Sequence, residues 1–350
     1  MKISRNFVYT LVVISLLVSA MANRTSADET VDNQADIAHL VSQLDFDAYK
    51  RDIEVLAGFG DREQGTQSYE KAAQWLAHRL SAAGYTVEYH EYRYWFLFPR
   101  ANMYVTKIGT TSPDQMYIVS AHLDGRGGGG AADDDASGVA VVLEAALALA
   151  PEQIATDKSI RFVFWNSEES GADGSRAYMI ERAGKRGEEH PRGSGRYPEP
   201  DWLGMIQHDM LLFDHGLPPR KMQIAEADLD IEYQADSDFS SDSKALAEAF
   251  LKGNQVYSTD YPAEIGDNMA KTDSWRFENM TAAISIRENR RMDEIGEGSN
   301  PHWHEPSDVP QTYSDADYRL GFNALQMTLG TIAELAGLQI VQPPEHDAEE

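Results

Sequence analysis

Three apolar runs, Met116–Ala121, Ile160–Trp165 and Leu203–Gln207, each end within three residues of a histidine or a carboxylate: His122, Glu168 and Asp209. Continuous apolar runs of this length are the signature of strands covered on both faces. The first is followed by a helical pattern, Ala136–Ala150. Val139, Val142, Leu143, Ala146 and Leu147 share one side of it, and Pro151 stops it. A fourth apolar run, Thr281–Ile286, and a closing helix, Leu320–Ala336, extend the alternation. The pattern predicts an α/β fold: a sheet, largely parallel at its centre, between two layers of helix. In open sheets of this kind, ligand-binding groups gather at the carboxyl ends of the strands. The residues that finish these runs therefore share one crevice.

Toward the N-terminus, Tyr69–Ala83 reads as an amphipathic helix ended by Gly84. Thr86–Tyr92 and Ala101–Ile108 read as an edge hairpin around an aromatic segment, Tyr94-Trp95-Phe96-Leu97-Phe98. Residues 184–202, rich in Gly, Pro and charge, read as a surface loop, either a tolerated insertion or a lid. Residues 23–45 read as a polar leader into the domain. Lys2 and Arg5, the apolar stretch Phe7–Val18 and Ala20-Met21-Ala22 predict a cleaved secretory signal over residues 1–22. A single catalytic domain over 23–340 and an acidic, disordered tail over 341–350 complete the expected organisation. The expected location is periplasmic or secreted, with no stable membrane association after signal cleavage.

Charge narrows the partners. The chain carries 57 acidic residues against 30 basic, a formal net charge of -27. It should repel nucleic acid and anionic membrane surfaces. Cysteine is absent, so there is no thiolate nucleophile, and His, Asp and Glu must hold any metal.

His122-Leu123-Asp124 places an acid two residues after a histidine. In extended backbone the two side chains point the same way, so Asp124 can hold the second ring nitrogen and fix the tautomer. Four glycines, 127–130, then lead into Asp133-Asp134-Asp135-Ala136-Ser137-Gly138. Helix capping needs one acid; three together repel one another unless a cation is present. In Glu168-Glu169 one carboxylate can bind metal while its neighbour takes a proton. Histidines and carboxylates in this number suit two Zn²⁺ ions and a water, and hence hydrolysis of an amide.

The ordered set His-Leu-Asp-Gly, Asp-Asp-Ala-Ser-Gly, Glu-Glu-Ser-Gly and a late His-x-x-x-Asp resembles the M28 family of zinc aminopeptidases, over about Tyr49 to Leu338. The resemblance implies a three-layer α/β/α fold around a mixed, mostly parallel eight-stranded sheet. It implies that Asp134 bridges two zinc ions, with His122 and Asp209 completing one and Glu169 and His304 the other. Glu168 would be the general base, activating a metal-bridging water that attacks a peptide substrate at its N-terminal residue. The family spacing selects His304, with Asp308 as its partner, over His302. It also implies a cis Asp134–Asp135 bond. His208 reads as structural. One departure is Thr272-Asp273-Ser274-Trp275 where the family has Ser-Asp-His, with Met269 where some members carry a tyrosine. Met269, Arg287 and Trp303 are candidates for contacting substrate. Arg287, Arg290 and Arg291 would matter most for an alternative carboxypeptidase or dipeptidase reading. Glutaminyl cyclisation on a one-zinc site and a catalytically dead binding protein on this fold are further alternatives.

Overall fold

The computed structural model describes residues 33–214, 229–269, 272–288 and 300–341. The expected signal segment, Arg290, Arg291 and all but the first residue of the expected tail lie outside these.

Among the described residues the chain runs α1 (33–42), α2 (Phe46–Ala57), α3 (Gln67–Ala82), β1 (Glu88–Tyr94), β2 (Phe98–Lys107) and β3 (Ser112–His122). It continues α4 (Gly138–Leu149), β4 (Ile154–Thr156), β5 (Lys158–Trp165), α5 (Asp173–Arg182), β6 (Asp201–His208), β7 (Leu229–Glu232) and α6 (Ser240–Tyr257). Then come β8 (Ala263–Gly266), β9 (Ala283–Arg287), α7 (Asp315–Ala336) and β10 (Leu338–Ile340).

The central sheet has eight strands in the order β1-β2-β5-β3-β6-β9-β7-β8. Pairings β5–β3, β3–β6 and β6–β9 are parallel, while β1–β2, β2–β5 and β9–β7 are antiparallel. The expected mixed, mostly parallel centre is therefore what the chain forms. Side chains alternate between two faces, as the pleat requires. Val119, Ala121, Phe162, Phe164 and Ile206 pack into the larger apolar cluster with α4, α7, α2 and α6. Ile118, Val163, Trp165 and Met205 pack into the smaller one with Tyr178, Trp202 and Phe277.

Residues 33–42 correct the expectation of a polar leader. They form a helix, with Ile37 and Val41 buried and Leu40 and Leu44 packed beside them. These four apolar residues fall at helical spacing, a short stripe set among polar residues. The closing helix begins at Asp315, before its apolar pattern, because the Ser314 backbone N–H and hydroxyl both donate to the Asp317 carboxylate. The 184–202 segment is pinned at its end. The buried Glu199 carboxylate accepts from Arg161 (2.8 Å), the Tyr178 hydroxyl (2.6 Å) and the Trp202 indole (2.7 Å).

Candidate metal centre

The sheet reverses its direction of growth at β3. The chain leaves β3 to form β5 on one side and later returns to form β6 on the other. Such a switch point opens a crevice at the carboxyl end of the strand. His122 is the last residue of β3, Glu168 and Glu169 follow β5, Asp209 follows β6, and Arg287 ends β9. The four central parallel strands thus deliver one or more polar groups each to the same place.

The expected helix start at Ala136 does not hold. Residues Ala132–Ser137 form a wide turn with non-helical angles at Asp134 and Asp135, and the regular helix begins at Gly138. Competing hydrogen bonds to these acids explain the difference. Asp135 accepts from the backbone N–H groups of His122, Gly138 and Met210, and Asp133 from that of Leu212 and the Asn300 amide. The Asp134–Asp135 bond is cis, as the resemblance implied.

Asp134 lies between the two histidines. Its Oδ1 is 3.2 Å from His122 Nε2, and its Oδ2 is 3.0 Å from His304 Nε2. Asp209 Oδ1 is 3.8 Å from His122 Nε2, and Glu169 Oε2 is 3.0 Å from His304 Nε2. Two groups able to hold a metal result, His122–Asp134–Asp209 and Asp134–Glu169–His304, sharing Asp134. Glu168 lines the same cleft, about 220 Å³ in volume, with Arg126, Gly171, Met210 and Trp303.

Crowded acids set the proton affinities. Burial is the largest cause lifting the Glu168 carboxyl well above its ordinary value; His122 opposes it, while Asp273, Asp209 and Glu169 reinforce it. Glu169 is pushed up to about 7 by burial and by Asp134. Burial would also raise Asp209, but the Arg287 guanidinium and His122 outweigh it and hold that carboxyl low. Burial would lower His304, yet Asp134 and Glu169 raise it to about 9.

Several supports differ from expectation. His122 Nδ1 is 2.8 Å from the Asp124 backbone carbonyl, while the Asp124 carboxylate stands 4.0 Å away. That carboxylate instead accepts from the backbone N–H groups of Glu168 and Glu169. The strand ends at His122, so strand alternation no longer governs Asp124. Asp308 does not hold the His304 ring. It accepts from the backbone N–H groups of Asp133 (2.8 Å) and Asp134 (3.2 Å) and from the Tyr313 hydroxyl (2.8 Å). Met269 lies in the smaller apolar cluster, away from the cleft wall. Arg287 lines the cleft, but its buried guanidinium donates to Asp209 Oδ2, which leaves it poorly suited to a substrate carboxylate. Trp303 lines the cleft, its ring 4.1 Å from that of His304. His302 meets Ser307, and the buried His208 meets Ser120 and Thr328.

Two arginines join the site from outside every motif. Arg62 is wholly buried and donates to the carbonyls of Leu123, Gly130 and Ala131, tying the His122 loop to the glycine loop. Arg126 Nη2 donates to His304 Nδ1 at 2.7 Å. Arg62 is brought to the site by the fold alone, while Arg126 lies in the chain between the His122 motif and the glycine run. Gly127 has a sequence-visible reason. Its φ is +102°, and a Cβ there would stand 2.6 Å from the His304 backbone.

Asp308→Ala should lower stability by roughly 2 kcal/mol or more, because it strips acceptors from two buried backbone N–H groups and a buried hydroxyl. Denaturant unfolding measures this; an unchanged midpoint and slope would show that the contacts carry no net weight.

The sheet and its carboxylate-histidine crevice define an α/β fold with two candidate metal-holding groups at the switch point of the sheet. A model of peptidase family M28 matches residues 102–327, well over half of the chain, and the chain belongs to that family. It is similar to leupeptin-inactivating enzyme 1 of Streptomyces exfoliatus, 30% identical over 122 residues. That match spans 34% of this chain and only 27% of that protein. Among solved structures, the LapA aminopeptidase of Legionella pneumophila aligns with a TM-score of 0.65 at 16% identity, covering 86% of this chain and 75% of that one. The glutaminyl cyclase of Porphyromonas gingivalis aligns at 0.58 and 20% identity, covering 83% and 98%. Among the described residues no helix is long and apolar enough to cross a membrane.

Proposed function

We propose that the protein is an exported two-zinc aminopeptidase that removes N-terminal residues from peptides. The observation that carries this reading is the Asp134 carboxylate, which offers one oxygen toward each of two histidines, each backed by a further carboxylate. The residues fit a pair of cations. His122 Nε2 and Glu169 Oε1 are buried with no hydrogen-bond partner, and imidazole with carboxylate is a donor set that suits zinc. His122, Asp134 and Asp209 would hold one ion and Asp134, Glu169 and His304 the other. When bound, the ions would acidify a water and polarise the scissile carbonyl.

Glu168 does the proton work. Held at the cleft by a turn whose N–H groups are fixed on Asp124, it accepts a proton from the attacking water and delivers it to the leaving amine. Its raised proton affinity suits both halves of that exchange. The acid-lined cleft also suits a substrate's free amine. Export rests on the N-terminal sequence pattern. A carboxypeptidase reading has less support from Arg287, whose buried guanidinium donates to Asp209; Arg290 and Arg291 lie outside the described residues.

Arg287→Met should weaken the ion held with Asp209 by roughly 10–100-fold, since the outer partner of a ligand tunes its affinity. Zinc titration against a competing chelator measures this. Unchanged affinity at both sites would remove Arg287 from that role.

A further inference from the structure

Beside the metal cleft lies a second hollow, about 600 Å³, between the β1–β2 hairpin and α5. Tyr92, Tyr94, Trp95 and Phe96 form one wall; the other mixes Ala177 and Ile180 with the charged Asp173, Arg176 and Glu181. The two hollows interleave along one turn: Glu169 and Gly171 line the metal cleft, while Ser170 and Asp173 line the aromatic groove. The Tyr92 hydroxyl ties the hairpin to this turn through Ser167 Oγ (2.7 Å) and the Asn166 carbonyl (3.0 Å).

The hairpin tip is built at a conformational cost. Trp95 and Phe96 both have positive φ, 49° and 61°, and the Leu97 N–H closes the turn on the Tyr94 carbonyl. That backbone favours Asn-Gly and disfavours bulky residues. Even so, Trp95 is 73% and Phe96 92% exposed. Large apolar side chains held in the open, at a position that resists them, point to a binding role.

We infer that this groove is the subsite for the leaving part of the peptide, and that it selects large apolar or aromatic residues at the third or fourth position from the N-terminus. The inference rests on the proposed aminopeptidase reading. An enzyme that removes one residue at a time places only that residue on the amine side of the scissile bond. The hollow that adjoins the cleft along the 168–173 turn is then placed to take the remainder of the peptide. Gly171, between Ser170 and Asp173 in the chain, faces open space: a Cβ built there meets nothing within 4 Å.

The test is the double variant Trp95→Asn/Phe96→Gly, which suits the turn better than the native pair and should fold at least as well. Aminoacyl p-nitroanilides, which never reach the groove, should be cleaved at the parent rate. Peptides with Phe or Trp at position three or four should show a rise in KM of roughly tenfold or more, and peptides with Gly there little change. Calorimetric titration of the same peptides in a Glu168→Gln background, with and without the double variant, reads binding independently of turnover. Parent binding of aromatic peptides that the variant loses, without any cleavage, would keep the groove and sink the aminopeptidase reading. Equal binding and cleavage by parent and variant would sink the groove. Loss of vesicle co-sedimentation or of a dimer, with peptide KM unchanged, would assign the tip to a membrane or a second copy and overturn the inference.

Discussion

Glu168→Gln is expected to keep both metal ions and lose about a thousandfold or more in turnover. The amide matches the carboxylate in shape but cannot take a proton from water or return it to an amine. Metal content should hold, because the two ligand groups, His122–Asp134–Asp209 and Asp134–Glu169–His304, do not include Glu168. Stability should hold or rise. Burial, reinforced by the nearby Asp273, Asp209 and Glu169, disfavours the ionised carboxyl in the fold, so an amide that never ionises should not cost stability. A catalytic group kept at a cost to the fold is a common compromise. Turnover, zinc content by elemental analysis and the unfolding midpoint together separate loss of the base from loss of the site. Near-native turnover with zinc retained would remove Glu168 from the proton-transfer role.

Chelation should produce the second large effect, on activity and stability together. Turnover should fall to background and return on adding zinc. The unfolding temperature should also fall, because each ion binds the folded chain and not the unfolded one. At a free concentration of 100 times Kd that linkage is worth roughly 2.7 kcal/mol per site. The carboxylates at this site raise the effect, since they are packed at a spacing that only cations or protons can reconcile. Asp134→Ala supplies the control. Without the shared ligand both sites fail, so its unfolding temperature should no longer respond to chelator or zinc. A variant that still responds in full would show that Asp134 does not join the two sites.

Much of this was legible in the chain. Apolar runs ending just before His122, Glu168 and Asp209 implied both the parallel centre and the crevice, because strand burial and ligand placement follow from one topology. The pairing of each acid was less legible. Asp124 and Asp308 are both close in sequence to a histidine, yet both spend their carboxylates on backbone N–H groups of neighbouring loops. Sequence spacing cannot show that, since it depends on where loops cross. Arg62, and the pairing of Arg287 with Asp209, were obscure for the same reason: buried charges are assigned by three-dimensional partners. The 33–42 helix was hidden because its apolar stripe is short and narrow and the residues around it, Asn33, Gln34, Asp36, His39 and Ser42, are polar. The aromatic segment Tyr94–Phe98 was visible as a cluster, but its exposure follows from the turn between β1 and β2.

The most direct measurement of the central claim is mass spectrometry of defined peptides incubated with the protein, with and without chelator. Stepwise loss of single residues from the N-terminus, stopped by chelator and restored by zinc, is the predicted result. Shortening from the C-terminus, or loss of ammonia from an N-terminal glutamine with no shortening at all, would contradict it.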